Sequence, residues 1–226
     1  MSLSKRLGER FAPRITELAP QATAGFVHQA LERAIRGVGP LDAAAVAADK
    51  HLADEQGDVD KAIKQVIETH VRLAGAQGFA TNIGGLVTMA VTVPANVAGL
   101  ALIQCRMVAG IVHLRGYDLE DPRVRNAILA CLMGEEKLLA LIRHKKLPGT
   151  PMALATAPVH DPHLNGVVAN EVAAELFTKV AGKRIATTVG RRVPVVGGLV
   201  GAGTDGYATW QVGRYVDREF LVRRRR

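Results

Sequence analysis

Apolar residues recur at helical spacing along almost the whole chain, and one long stretch departs from the pattern by carrying no charge on any face. Val27, Leu31, Ala34, Ile35 and Val38 fall at i, i+4, i+7, i+8 and i+11. That stripe predicts an amphipathic helix that stops at Gly37-Val38-Gly39-Pro40. Asp42 is placed to cap a short Ala-rich helix. Asp58 is placed to cap the next one, where Val59, Ala62, Ile63, Val66, Ile67 and His70 share a face. From Leu73 to Cys105 the chain then runs 33 residues without an ionisable side chain. Such a run must be hidden from water, in a protein core or in a bilayer.

Pro94 divides this run. A proline inside a helix loses one backbone hydrogen bond and clashes with the preceding turn, so two helices or a kinked one are predicted. The first half, about 78–93, is shorter than the ~20 residues that a hydrocarbon core requires. The second half, 95–114, has the length but carries Arg106 in its interior. A core or re-entrant hairpin is expected, not two transmembrane spans.

Beyond the run, Gly116 is placed to end a helix, and Asp121-Pro122 supplies a cap followed by the favoured first-turn proline for a helix through Leu132. Gly134 interrupts, and 135–146 continues with Leu138, Leu139, Leu141 and Ile142 inward. Residues 147–165 hold four prolines and read as one long loop. A helix over about 167–192 shows Val172, Leu176, Phe177 and Val180 on one side and gathers Lys183, Arg184, Arg191 and Arg192 at its far end. A second apolar block, 193–203, precedes a last helix over about 204–222, which leads into Arg223, Arg224, Arg225 and Arg226. No strand signal, repeat or low-complexity tract occurs. The fold class is all-α: a single domain over 1–226, built as a compact multi-helix bundle with a Gly/Ala-rich apolar hairpin at its centre.

Composition agrees. Apolar residues are 48% of the chain but aromatics only 4%, so Ala, Val, Leu and Gly must fill the interior, which favours closely packed helices over an aromatic-rich β-sandwich. The two cysteines, Cys105 and Cys131, lie in apolar helical stretches and are expected as reduced core thiols of a cytosolic protein. The N-terminal stretch 1–18 scatters charge and lacks the apolar core of a secretory signal; Glu9 and Glu17 also weigh against an organelle-targeting helix, so a basic surface helix is expected. The formal net charge of +8 and the pI near 9.9 favour anionic partners.

Among constellations with chemistry, Gly201-Ala-Gly203-Thr-Asp-Gly206 spells GxGxxG. A dinucleotide site needs a strand before it, a helix after it and a second strand, and only 20 residues follow Gly206 here. Gly197 and Gly201 read better as a GxxxG pair for close helix packing. His160-Asp-Pro-His163 offers two imidazoles and a carboxylate but lacks the further ligands of a zinc site. Glu171 and Glu175, at i and i+4, read as a solvated polar face, with acid–base work as the alternative. Lone His70 and His113 lie on apolar faces and read as core or interface residues. Trp210, the single tryptophan, has two readings, a core residue or a head-group anchor beside the basic tail. No catalytic residue, cofactor or metal site is therefore expected.

Three blocks in order resemble the EcsC family: GFATNIGGLVTMAVTVPANVAGLALIQCRMVAGI with its central proline; HLRGYDLEDPRVRNAIL; and GKRIATTVGRRVPVVGGLVGAGTDGYATWQVGRYVDREF. Gly116-Tyr117-Asp118 looks like the family's tyrosine-glycine-tyrosine-aspartate region, with Arg115 in place of its first aromatic. Thr204-Asp205 stand where the family often shows asparagine. The likeness is best over 73–222 and weak over 1–57. It implies a helical fold and a link to membrane or transport processes, and it supplies no agreed catalytic residues.

The expectation is a membrane-associated helical accessory protein, not an enzyme, peripheral at the inner face of a bacterial cell membrane. Arg191, Arg192 and Arg223 to Arg226 would contact anionic lipid or a membrane protein, at ~1 kcal/mol for each basic residue near the surface. Nucleic acid is not an expected partner, since the terminal arginines neither interleave with aromatics nor line a recognition helix. The alternatives are a soluble helical interaction module, with homo-oligomerisation through its glycine faces, and an enzyme using Glu171/Glu175 or His160/His163.

Overall fold

The computed structural model describes residues 20–83, 95–189 and 194–223, with side chains over 25–77, 97–179 and 203–223. Among these residues every element is helical: α1 (Pro20–Arg36), α2 (Ala44–Asp54), α3 (Val59–Ile83), α4 (Ala95–Leu114), α5 (Pro122–Cys131), α6 (Glu135–Arg143), α7 (Pro151–Ala155), α8 (His163–Val189) and α9 (Pro194–Glu219). The N-terminal stretch 1–19 and the middle of the uncharged run, 84–94, lie outside the described residues.

Several boundaries follow the local signals. Asp58 caps α3 by accepting from the Lys61 amide at 3.0 Å. Asp121 caps α5 by accepting from the Arg123 amide at 2.8 Å, with Pro122 in the first turn. After α1 the chain turns at Gly37, where φ is +84° and a Cβ would sit 2.7 Å from the Leu41 carbonyl oxygen, so only glycine fits. Others differ. Asp42 does not cap α2, which starts without a side-chain cap; its carboxylate instead binds Lys50 at 2.6 Å. Helix α3 runs unbroken from Val59 to Ile83, past the position near Gly78 where the first half of the apolar hairpin is expected to begin. The long loop contains α7, capped by the Thr150 hydroxyl and opened by Pro151. The apolar block 193–203 is largely the start of α9 and not a separate element.

Helix α4 is the hub, in contact with α1, α2, α3, α5, α8 and α9. Its Cys105, Met107, Val108, Ala109, Ile111 and Val112 are fully buried. Both cysteines are free and buried, and burial pushes the Cys105 thiol up to about 12, which makes it inert. Around this hub, α1 contributes Val27, Leu31, Ala34 and Ile35, while Val38 is exposed beyond its end. Phe26 of α1 meets Phe177 of α8 edge to face at 5.8 Å. Helix α2 is seated by Ala44 and Ala48 against Gly110, where a Cβ would already touch Ala48 at 3.5 Å. Helix α6 turns Leu138 and Leu141 inward but leaves Leu139 exposed.

Arg106 survives in this interior because its guanidinium donates to the backbone carbonyl of Asp42. Val97–Leu114 is long and apolar enough to cross a membrane, yet most of it is buried inside the bundle. From Val97 to Cys105 the side chains of the uncharged run are thus buried or half-buried within the bundle, whereas Leu73 at its start is exposed.

Candidate functional site

The two faces of α9 differ in kind. Gly206, Thr209, Val212, Gly213, Val216 and Phe220 recur at three and four residues and are buried. The tightest crossing is at Gly213: a Cβ there would lie 2.9 Å from Ile67 Cγ1 of α3 and 3.2 Å from Met107 Sδ of α4. One turn earlier, the buried Gln104 amide donates to the buried Thr209 hydroxyl at 3.3 Å. One turn later, Arg115 donates to Asp217 at 2.7 Å and to Asp60 at 3.0 Å, tying α9, α4 and α3 together.

The other face is open. Its exposed residues include Tyr207, Trp210, Arg214 and Arg218, and the acids of the described part of the helix, Asp205, Asp217 and Glu219, are only partly exposed. Tyr207 and Trp210, at i and i+3, stack with centroids 5.9 Å apart and planes 21° from parallel. They remain 60% and 45% exposed. Of the two readings of Trp210, the core position is therefore not the one adopted. Arg214 reaches the Asp217 carboxylate only at 4.0 Å, and Arg115 already holds that carboxylate more closely. Arg218 meets Glu135 of α6 at 2.7 Å across an exposed gap. Glu219 faces inward and accepts from the Met152 amide at 3.0 Å.

The chain beyond α9 is clamped. The Arg223 amide donates to the Arg115 carbonyl at 2.7 Å, and its guanidinium lies over the Tyr117 ring, 5.4 Å from the centroid. Tyr117 in turn packs edge to face on Phe220 at 5.2 Å. Gly116, with φ of +88°, lets the backbone at Arg223 come against it. The Gly116-Tyr117 block is thus a seat for the segment that follows α9, held at Arg223. Arg224, Arg225 and Arg226 lie outside the described residues, as do Arg191 and Arg192. Gly197 and Gly201 fall in the first turns of α9, and their packing is outside the described side chains.

The remaining candidates are dispersed. Glu171 pairs with Lys137 at 3.4 Å and Lys146 at 3.2 Å and so ties α8 to α6 and the turn after it, while Glu175 pairs with Lys179 at 3.5 Å within α8; both carboxylates are less solvated than a free polar face. Gly201 to Gly206 lies within one continuous helix, which is not the strand–turn–helix of a dinucleotide site. His163 opens α8, with its amide on the Asp161 carboxylate at 2.9 Å. His160 and Asp161 border a cavity of about 260 Å³ among α5, α7 and α8. Its polar wall is already engaged: Arg123 is bound to Asp121 and the Ala157 carbonyl, and Asn126 to Asn165. Among the described residues no group of three or more His, Cys, Asp or Glu is placed to hold a metal ion. His113 meets Asp49 at 2.9 Å. Buried His70 bonds the Val66 carbonyl oxygen at 2.7 Å through Nδ1, and burial holds its pKa down to about 4.

The stacked pair and the glycines at 206 and 213 were not singled out as a site by the sequence reading. Their signals were the i,i+3 aromatics and the heptad spacing of the two glycines on one helix. No curated protein and no solved structure matches this chain. The profile of the EcsC protein family matches residues 1–224, including the 1–57 stretch where the quoted motifs are sparse, and the chain belongs to that family.

Proposed function

We propose that this EcsC-family chain is a helical accessory protein that works at an anionic membrane surface, peripheral at the inner face of a bacterial cell membrane. The observation that supports this most directly is the exposed side of α9, where Tyr207, Trp210 and Arg214 stand together and no acid of the helix is among its exposed residues, while Arg218 is paired with Glu135 of α6. Basic residues beside a negatively charged leaflet contribute ~1 kcal/mol each, and Trp and Tyr favour the membrane–water boundary. The net charge of +8 adds long-range attraction of the same sign. Assistance to a membrane or transport process rests on the family resemblance, and no catalytic role is assigned to any residue.

Flotation of the purified chain with neutral and anionic liposomes, at low and high salt, tests the reading. Flotation with anionic vesicles alone, lost in salt, is the expected result. Flotation that persists in salt would mean that part of the uncharged run enters lipid. A second reading, a soluble helical interaction module, is favoured by the burial of most of Val97–Leu114 inside the bundle. Absence of flotation under every condition would select it.

A further inference from the structure

We propose that α9 lies in the plane of the membrane, its outer face down, with the Tyr207–Trp210 stack at the boundary between head groups and acyl chains. This rests on the membrane reading above and specifies the contact. On the described part of α9, Tyr207, Trp210, Arg214 and Arg218 are exposed on one face, spread over about 16 Å of the axis at about 1.5 Å per residue. Were the helix upright on a membrane, one end of this row would stand clear of the surface. At physiological salt, screening removes most attraction beyond ~8 Å. Lying flat, the helix brings the whole row to the same surface.

The middle of the helix fits the same orientation. Tyr207 and Trp210 are 60% and 45% exposed, and their stacking presents one broad aromatic plate. Arg214, one turn further on, is exposed and only distantly paired. Rings at the acyl boundary with a basic side chain reaching a phosphate are the arrangement of an interfacial helix. The occupant is therefore a phospholipid bilayer with anionic head groups. On the opposite side, the glycine crossing at Gly213 and the Arg115–Asp217 pair hold α9 against α3 and α4, so the face can be presented without unfolding.

Trp210 is the single tryptophan and reports its own surroundings. The full chain is mixed with phosphatidylcholine vesicles with or without phosphatidylglycerol, and flotation and Trp210 emission are read together. With phosphatidylglycerol present, emission should move to shorter wavelength, and lipids brominated near the head group should quench it more than lipids brominated near the chain end. The Tyr207→Ala/Trp210→Ala double variant should float about tenfold more weakly while still folding cooperatively, with only a modest fall in melting temperature because each ring is about half exposed. Flotation with unshifted Trp210 emission would overturn the orientation while leaving the membrane reading intact. Stronger quenching from the chain end would overturn the boundary placement in favour of deep insertion. No flotation would remove the membrane reading and this inference with it.

Discussion

The inner and outer faces of α9 are cut from the same helix, yet different physics fixes each. Inward, the residues are small so that backbones can approach: Gly206 lies against the Val71 carbonyl, and Gly213 sits where three helices cross. The gain there is dispersion and burial, both sensitive to a single added carbon. Outward, Tyr207, Trp210, Arg214 and Arg218 are large or charged and about half exposed, so the fold depends on them less. A face that costs the fold little to change, and that still carries a stacked aromatic pair beside Arg214, is where the proposed surface contact would act. The two faces should therefore separate in experiment: inner substitutions should change stability, and outer ones should change binding.

The largest effect is expected at the crossing. Gly213→Leu must place four carbons where a Cβ alone would sit 2.9 Å from Ile67 and 3.2 Å from Met107. Ile67 is branched and both neighbours are buried, so neither can swing away, and the helix propensity gained over glycine, about 1 kcal/mol, does not offset the overlap. A loss of about 3 kcal/mol or more is expected, read as a lower urea midpoint. A variant as stable as the parent would mean that α9 is not seated on α3 and α4 as described.

Next is the ionic tie one turn away. Arg115→Ala leaves Asp217 largely buried and without its closest cation, and it frees the exposed Asp60 at little cost. A loss of about 2 kcal/mol is expected, below the figure for a fully buried pair because part of the site is wet. Arg115→Lys should recover only part of it, since a single ammonium does not span both carboxylates as the guanidinium fork does. Equal stability of Arg115→Lys and the parent in urea titrations would show that the fork contributes nothing.

These positions also show how much of the molecule was legible in its sequence. The helix class, the caps at Asp58 and Asp121 and the turns at Gly37 and Gly116 were readable, because each depends on a few adjacent residues. The role of Asp42 was not: its carbonyl serves Arg106, 64 residues away, and no local rule anticipates that pairing. The uncharged run could not be divided between core and bilayer from its composition, since burial in either solvent demands the same residues. On α9, periodicity counts apolar residues, so a face built of Gly206, Thr209 and Gly213 was invisible to it and the helix start was placed too late. Arg223 was counted with the surface arginines, and its seat on Tyr117 emerges only when α9 folds back along α4.

Mild acid offers a test of the interior that leaves the outer face alone. On α3, His70 is buried between α2 and α4, with Arg106 and His51 also lining the small space beside it. Burial, and then the Arg106 charge, lower its pKa from 6.5 to about 4, against the backbone bond to Val66 that raises it. The unfolded chain then binds a proton that the folded one refuses. Stability is complete above about pH 6.5 and falls as pH drops towards 4, on the order of 1–2 kcal/mol by about pH 5. His28, lowered by its own burial and by Arg125, adds to the same slope. His70→Leu should flatten most of the slope in thermal melts between about pH 7 and 5, and an unchanged slope would place the titrating group elsewhere.

The smallest stability effect, and the sharpest contrast, belongs to Arg214. Asp217 stands 4.0 Å from it and is already claimed by Arg115, and its own side chain is 46% exposed. An exposed pair of that kind contributes little, so Arg214→Ala should change the unfolding free energy by less than about 0.5 kcal/mol. On anionic vesicles the same variant loses one phosphate contact, worth ~1 kcal/mol, or about fivefold in affinity at low salt. The difference should shrink as salt rises, because the lost term is electrostatic. Gly213→Leu inverts the pattern, with a large loss of stability and, for molecules still folded, parental binding. Should Arg214→Ala bind vesicles as the parent does at every salt concentration, the arginines of this face would be solvated charges and the aromatic stack alone would have to account for the surface.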